Sequence, residues 1–256
     1  MKTTVLPLEL HAIEKLRQEE LEEARTIQNA MLPTNALCIK AVTVSHEFQP
    51  VAAVGGDLLD YFELADGCIG LYLGDVSGKG LPAAMYAALA VGTLRGVHKT
   101  GVAPSDVLKT LNRRLMIRGL PRRHAAMQYA VFDPRSHEMK IASAGLPGPF
   151  HISGEDCRML ELSGIPPGLF AESTYETLTL RLRPGDSVLF CTDGLMDAFD
   201  GNNEQFGLAR LHELCSEACV GSRAKLLARI FAAVDSFACG QEQHDDMTAA
   251  LFHISS

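Results

Sequence analysis

The hydrophobic rhythm of the chain changes once. Residues 8 to 31 hold no Gly or Pro, are rich in Glu, Leu, Ala and Arg, and carry apolar side chains at Leu10, Ile13, Leu16, Leu21, Ala24, Ile27 and Met31. That spacing predicts one amphipathic helix, ended by Pro33. The spacing slips around Glu19 and Glu20, so it is not a strict coiled-coil seam. Two readings stay open: a dimerising or signal-receiving helix, and a helix packed on its own domain.

From residue 41 onward short alternating or wholly apolar segments take over, punctuated by Gly and Pro. AVTVSHEF, CIGLYLGDV, MQYAVFD, MKIASAG, TLTLRL, SVLFCTD and a closing DMTAALFHI read as strands. Amphipathic stretches interrupt them: residues 81 to 98 with Pro82 in the first turn, residues 104 to 117 opening on PSD, and a helix pair over 207 to 237 broken near Gly221. The strands at 127 to 133 and 137 to 144 are joined only by Pro134, Arg135 and Ser136, which requires an antiparallel hairpin. Runs of strands between runs of helices, without a strict βαβ rhythm, predict an antiparallel α+β layer fold with helices outside the sheets. Residues 1–33 form a helical linker in this reading and residues 34–256 one domain.

The 256 residues, 47% hydrophobic, suffice for a sizeable core, and the net charge of -8 with no long Lys/Arg run argues against a nucleic-acid surface. Seven scattered cysteines without a CxxC pair read as reduced, mostly buried thiols of a cytoplasmic protein. No signal peptide stands out, and the richest apolar stretch, Leu81 to Leu94, is short for a membrane span.

The candidate chemistry lies where strands meet carboxylates beside Gly: VGGDLLDYF with Asp57 and Asp60, LYLGDVSGKG with Asp75, LFCTDGLMDA with Asp193, and HDDMTAALF with Asp245 and Asp246. A carboxylate at a buried strand end is costly unless a positive charge accompanies it, and few basic residues stand nearby in sequence. One or two hard divalent cations, Mg²⁺ or Mn²⁺, satisfy several Asp oxygens at once. Each Asp-Gly alone reads first as a turn; four together point to a metal centre. GDVSGKG is one residue short of a P-loop and has Gly80 where Ser or Thr should stand, which rejects a nucleotide site.

GGDLLDYF, GDVSGKGLPAA, SAGLPGPF, SGIPPGLF, TDGLMDAFDGNNEQFG and DDMT stand in an order and spacing that resembles the SpoIIE and RsbU branch of the metal-dependent protein phosphatases, or protein phosphatase type 2C. EEARTIQNAMLP is similar to the linker helix before that branch's catalytic domain, so the resemblance runs from about residue 20 to 254. It implies two antiparallel sheets packed as a sandwich between helical layers, with two metals at one end. Asp75 would bridge them, the Val76 carbonyl would complete the first, Asp193 and Asp245 would hold the second, and Asp57 would touch a metal or its waters. Asp60 and Asp246 either orient a neighbour or brace a turn, Asp246 being also a candidate ligand. Such a centre activates a water between cations roughly 3.5 to 4 Å apart.

The implied reaction is hydrolysis of phosphoserine or phosphothreonine on a protein. The implied partner is a phosphorylated STAS-type anti-sigma-factor antagonist, with a homodimer through the N-terminal helix as a further expectation. Lys79, Arg122 and Arg123 are substrate-binding candidates, although Lys79 can equally cap a turn and the Arg113–His124 basic stretch can equally answer a helix dipole. Leu146, Leu58 and Leu59 depart from the family pattern, which puts substrate preference and loop geometry in question. Ser77 stands where eukaryotic relatives keep a candidate acid His. The rival reading is a non-catalytic partner-binding module that keeps the fold.

Overall fold

The computed structural model describes residues 7–218 and 223–255. Two antiparallel sheets form its centre. One has six strands, in the order β1 (Leu37–Ile39), β2 (Val42–Gln49), β11 (Met247–Ile254), β10 (Ser187–Cys191), β7 (Phe150–Ser153) and β8 (Asp156–Met159). The other has five: β3 (Leu58–Glu63), β4 (Ile69–Val76), β5 (Ala125–Asp133), β6 (Glu138–Ala144) and β9 (Leu178–Arg181).

The sheets face each other across a core that includes Val44, Leu59, Leu71, Leu73, Phe132, Ile141, Phe190 and Phe252. Phe132 and Phe252 meet edge to face in it, with ring centroids 5.0 Å apart. Helices α2 (Gly80–Val97) and α3 (Pro104–Met116) bury Ala83, Ala87, Leu94, Leu108 and Leu111 against the outside of the five-stranded sheet. Helices α4 (Gly207–Glu217) and α5 (Leu226–Ala238) bury Leu211, Ile230 and Val234 on the outside of the six-stranded one. Strands β4, β5, β10 and β11 are buried on both faces, which is why they read as continuous apolar runs in place of a clean alternation.

The layered sandwich agrees with expectation, and so does the 134–136 hairpin, whose strands pair Asp133 with Glu138. Four short strands, β1, β3, β7 and β8, carried no separate sequence signal, whereas β9, also four residues long, stood out through the alternation of TLTLRL. The break expected near Gly221 lies outside the described residues; α4 ends before it and a 3-10 turn at Arg223–Lys225 leads into α5.

Helix α1 (Pro7–Met31) is present, but its apolar stripe is largely open: Leu10, Ile13, Leu16 and Ile27 are exposed. What docks is the C-terminal end. Arg95 on α2 donates to the Met31 carbonyl at 2.8 Å and pairs with Asp60. Among the described residues no helix is long and apolar enough to cross a membrane.

Candidate metal centre

Strand ends from both sheets meet at one end of the sandwich. The five-stranded sheet brings Asp57, immediately before β3, and Asp75, the second-last residue of β4. The six-stranded sheet brings Asp193, in a 3-10 turn just after β10, and Asp245 and Asp246, immediately before β11. Thus only Asp75 and Asp193 close a strand, whereas Asp57, Asp245 and Asp246 precede one. An antiparallel ladder explains the mixture, since it sets the start of one strand beside the end of its neighbour.

Asp57 is buried beneath this gathering. Its Oδ2 accepts hydrogen bonds from Thr192 Oγ1 at 2.9 Å and Thr248 Oγ1 at 2.5 Å, while its Oδ1 is enclosed without a hydrogen-bond partner. Burial first, and then the charge of Asp75, push the Asp57 carboxyl well above the ordinary range. Asp75 is pushed up to about 7 by burial and by Asp193, Asp245 and Asp246. Burial and Asp197 raise Asp193, and burial and Asp245 raise Asp197. The carboxylates are therefore close enough to repel one another strongly.

The glycines make that approach feasible. A Cβ on Gly56 would stand 2.7 Å from the Val76 carbonyl oxygen and 3.4 Å from Asp75 Oδ1, so only glycine lets this backbone pack against both. Gly194 packs directly on the Asp246 carbonyl.

Asp246 directs both oxygens to backbone donors, Oδ1 to Val51 N–H at 2.8 Å and Oδ2 to Gly56 N–H at 2.5 Å. It braces the loop before Asp57. Asp60 points away from the cluster and accepts from Arg95 Nε at 3.1 Å and Nη2 at 2.9 Å. Lys79 Nζ stands 3.5 Å from Asp245 Oδ2, the ion pair that this carboxylate group makes among the described residues. Arg123 donates to the Ser77 carbonyl and lies over Gly78, holding the turn after Val76. The Arg122 side chain is exposed, and its carbonyl accepts from Ser77 Oγ at 3.0 Å.

Among the described residues no three His, Cys, Asp or Glu side chains close on one point as a finished ligand set. The donors nonetheless suit a hard cation: five carboxylates crowded at one end, an unpartnered buried oxygen on Asp57, and a backbone carbonyl that Gly56 approaches closely. The ammonium of Lys79 beside Asp245 shows the same preference for positive charge.

Sequence reasoning missed Thr192, Thr248, Asp197, Gln243 and Gln28. All but Gln243 lie inside quoted segments, but nothing local marks the Thr192 and Thr248 hydroxyls as facing a carboxylate on the other sheet. Gln243 donates to the Asp245 carbonyl at 2.6 Å and the Gln49 carbonyl at 2.9 Å, and so fixes the approach to β11.

The chain is similar to known proteins in both sequence and fold. It is 28% identical over 215 residues to phosphoserine phosphatase RsbU of Bacillus subtilis, a match covering 82% of this chain and 64% of RsbU. It thus spans less than two thirds of that relative. Among solved structures, the SiaA-PP2C domain of Pseudomonas aeruginosa superposes with a TM-score of 0.84 at 22% identity, covering 95% of this chain and 99% of that one. RsbX in complex with magnesium superposes with a TM-score of 0.66 at 13% identity, covering 86% and 99%. Both likenesses establish the fold, and the Stage II sporulation protein E (SpoIIE) family profile matches residues 65–255, so the chain, with its PP2C-type sandwich, belongs to the SpoIIE family.

Proposed function

We propose that this protein hydrolyses phosphoserine or phosphothreonine monoesters on a partner protein, using Mn²⁺ or Mg²⁺ in a two-metal centre. The observation that carries the reading is the crowding of carboxylates from both sheets at one end of the sandwich, with Asp75 raised to about 7 and, among the described residues, only Lys79 offering direct positive charge. Asp57, Asp75, the Val76 carbonyl, Asp193 and Asp245 would hold the cations, with Asp246 as a further candidate that already braces the loop. Divalent cations bound there supply the charge that makes water nucleophilic near neutral pH and offsets charge on the phosphoryl oxygens.

The chain's own residues do the positioning. Thr192 and Thr248 hold one Asp57 oxygen and leave the other turned to the cluster. Asp246 fixes Gly56, whose backbone packs close to the Val76 carbonyl and Asp75. Arg123 steadies the 77–78 turn, and Lys79 and Arg122 stand at its rim as contacts for an incoming phosphate. The expected substrate is a phosphorylated STAS-type anti-sigma-factor antagonist, a class implied by family resemblance and supported by similarity to a phosphoserine phosphatase. Residues 1–33 then serve as linker and homodimer seam, and 34–256 as the catalytic domain.

Turnover of a chromogenic phosphomonoester with Mn²⁺ tests the reaction. Activity should vanish in Asp75→Asn and Asp193→Asn while circular dichroism stays unchanged. Equal turnover in wild type and both variants would remove the assigned site. A phosphorylated STAS protein as substrate then tests the partner class.

A further inference from the structure

On the outer face of the six-stranded sheet, away from the aspartates, α4 lies across the edge strand β8. His212 Nε2 donates to the Cys157 carbonyl at 3.1 Å, which fixes the helix over the strand at this point. Cys215, one turn further along α4, is fully buried in the cluster formed by Phe150, Ile152 and Leu211. Cys157 packs against the same cluster while remaining partly open to solvent. Cys215 is the group that acts most strongly on the Cys157 thiol, and both side chains pack into this one contact between α4 and β8.

We propose that Cys157 and Cys215 are a redox-active pair that closes to an intramolecular disulfide when the protein meets a hydroperoxide. The positions divide the labour. Cys157 is reachable from solvent and attacks first; Cys215, shielded behind it, resolves. The Cys215 thiol, followed by Ser216 and the charge of His212, draws the Cys157 thiol down to about 7, so a large fraction is thiolate near neutral pH. Buried Cys68 and Cys191 are pushed in the opposite direction, to about 11 and about 12, chiefly by burial. The pair is thus set apart from thiols that only fill the core.

The chemistry balances with hydrogen peroxide as the oxidant. The Cys157 thiolate attacks one peroxide oxygen, the O–O bond breaks, and hydroxide leaves, giving a sulfenic acid. Cys215 then attacks the Cys157 sulfur, the S–O bond breaks, and the leaving hydroxide takes the Cys215 proton as water. Two thiols are oxidised by two electrons in all, and one peroxide is reduced to two waters. The product ties α4, whose first residue donates its N–H to the Met196 carbonyl beside Asp193 and Asp197, to the rim of the sheet.

Peroxide treatment of the full reduced chain, alkylation of remaining thiols, and digestion without reductant provide the test. Wild type should yield a linked pair of peptides joining Cys157 to Cys215, and alkylation should fall from seven cysteines to five. In Cys215→Ser, dimedone should trap a sulfenic acid on Cys157; in Cys157→Ser, Cys215 should stay unlabelled. The proposal is overturned if wild type gives sulfinic acid at Cys157 with Cys215 still alkylated. Linkage of Cys215 to Cys219 in place of Cys157 overturns it too, and both readouts use unmutated protein, so a variant that fails to fold does not cloud them.

Discussion

Gln28 and Gly55 exchange two hydrogen bonds, Gln28 Nε2 donating to the Gly55 carbonyl at 2.8 Å and Gly55 N–H donating to Gln28 Oε1 at 3.0 Å. Gln28 is the buried polar side chain of α1, and the pair joins that helix to the loop that Asp246 also grips through Gly56. Removing the side chain leaves a buried N–H and C=O without partners. Gln28→Ala should therefore cost about 1–3 kcal/mol in urea unfolding and reduce phosphomonoester turnover. An unchanged unfolding midpoint would mean that the helix end is not docked in solution.

Asp60 and Asp57 are close in sequence but differ in role. Asp60 makes a partly exposed ion pair with Arg95, for which a contribution of about 1 kcal/mol is typical. Asp60→Asn should lower stability by that order and keep Mn²⁺ uptake measured by calorimetry. Asp57→Asn should lose the uptake. Parallel loss in both variants would place Asp60 in the centre after all.

The carboxylate cluster sets a pH dependence of unusual sign. Asp75 binds its proton up to about 7 in the folded chain against an ordinary 3.8, and Asp57 is raised as well. Between those values the native state holds protons the unfolded chain has released, so stability falls as pH rises through the window. Half-buried His46, His98, His124 and His253 act oppositely, since desolvation lowers each, but only below their ordinary 6.5. Chelated protein should therefore show a urea midpoint that declines from about pH 6.5 to about pH 8, and Mn²⁺ should flatten the decline. A midpoint that climbs over this range would show that the aspartates are not crowded together.

Gly194 rests on the backbone carbonyl of Asp246, where an added Cβ would overlap it. Neither backbone can yield as a flexible side chain would. Gly194→Ala should destabilise by about 1–3 kcal/mol in thermal or urea unfolding and weaken cation uptake. A fully stable variant would require a different path for the 193–195 turn.

The local sequence determined the alternating and apolar runs that built the strands, the first turns of the helices around Pro82 and Pro104, and the short 134–136 turn that forced a hairpin. It also marked Asp57, Asp75, Asp193, Asp245 and Asp246, because a carboxylate set between Gly and a buried strand is conspicuous in one dimension. What it could not supply was direction. Whether Asp60 joins Asp57 or turns to Arg95, whether Asp246 faces the cluster or the Val51 and Gly56 amides, and which hydroxyls reach Asp57 depend on which residues far apart in the chain become neighbours. Side-chain direction near a strand end is set by sheet packing and register, and those arise only when the two sheets close on a shared core. The same reason hid Gln28 on a helix face that reads as polar, and placed Cys157 against Cys215 although 57 residues separate them in the sequence.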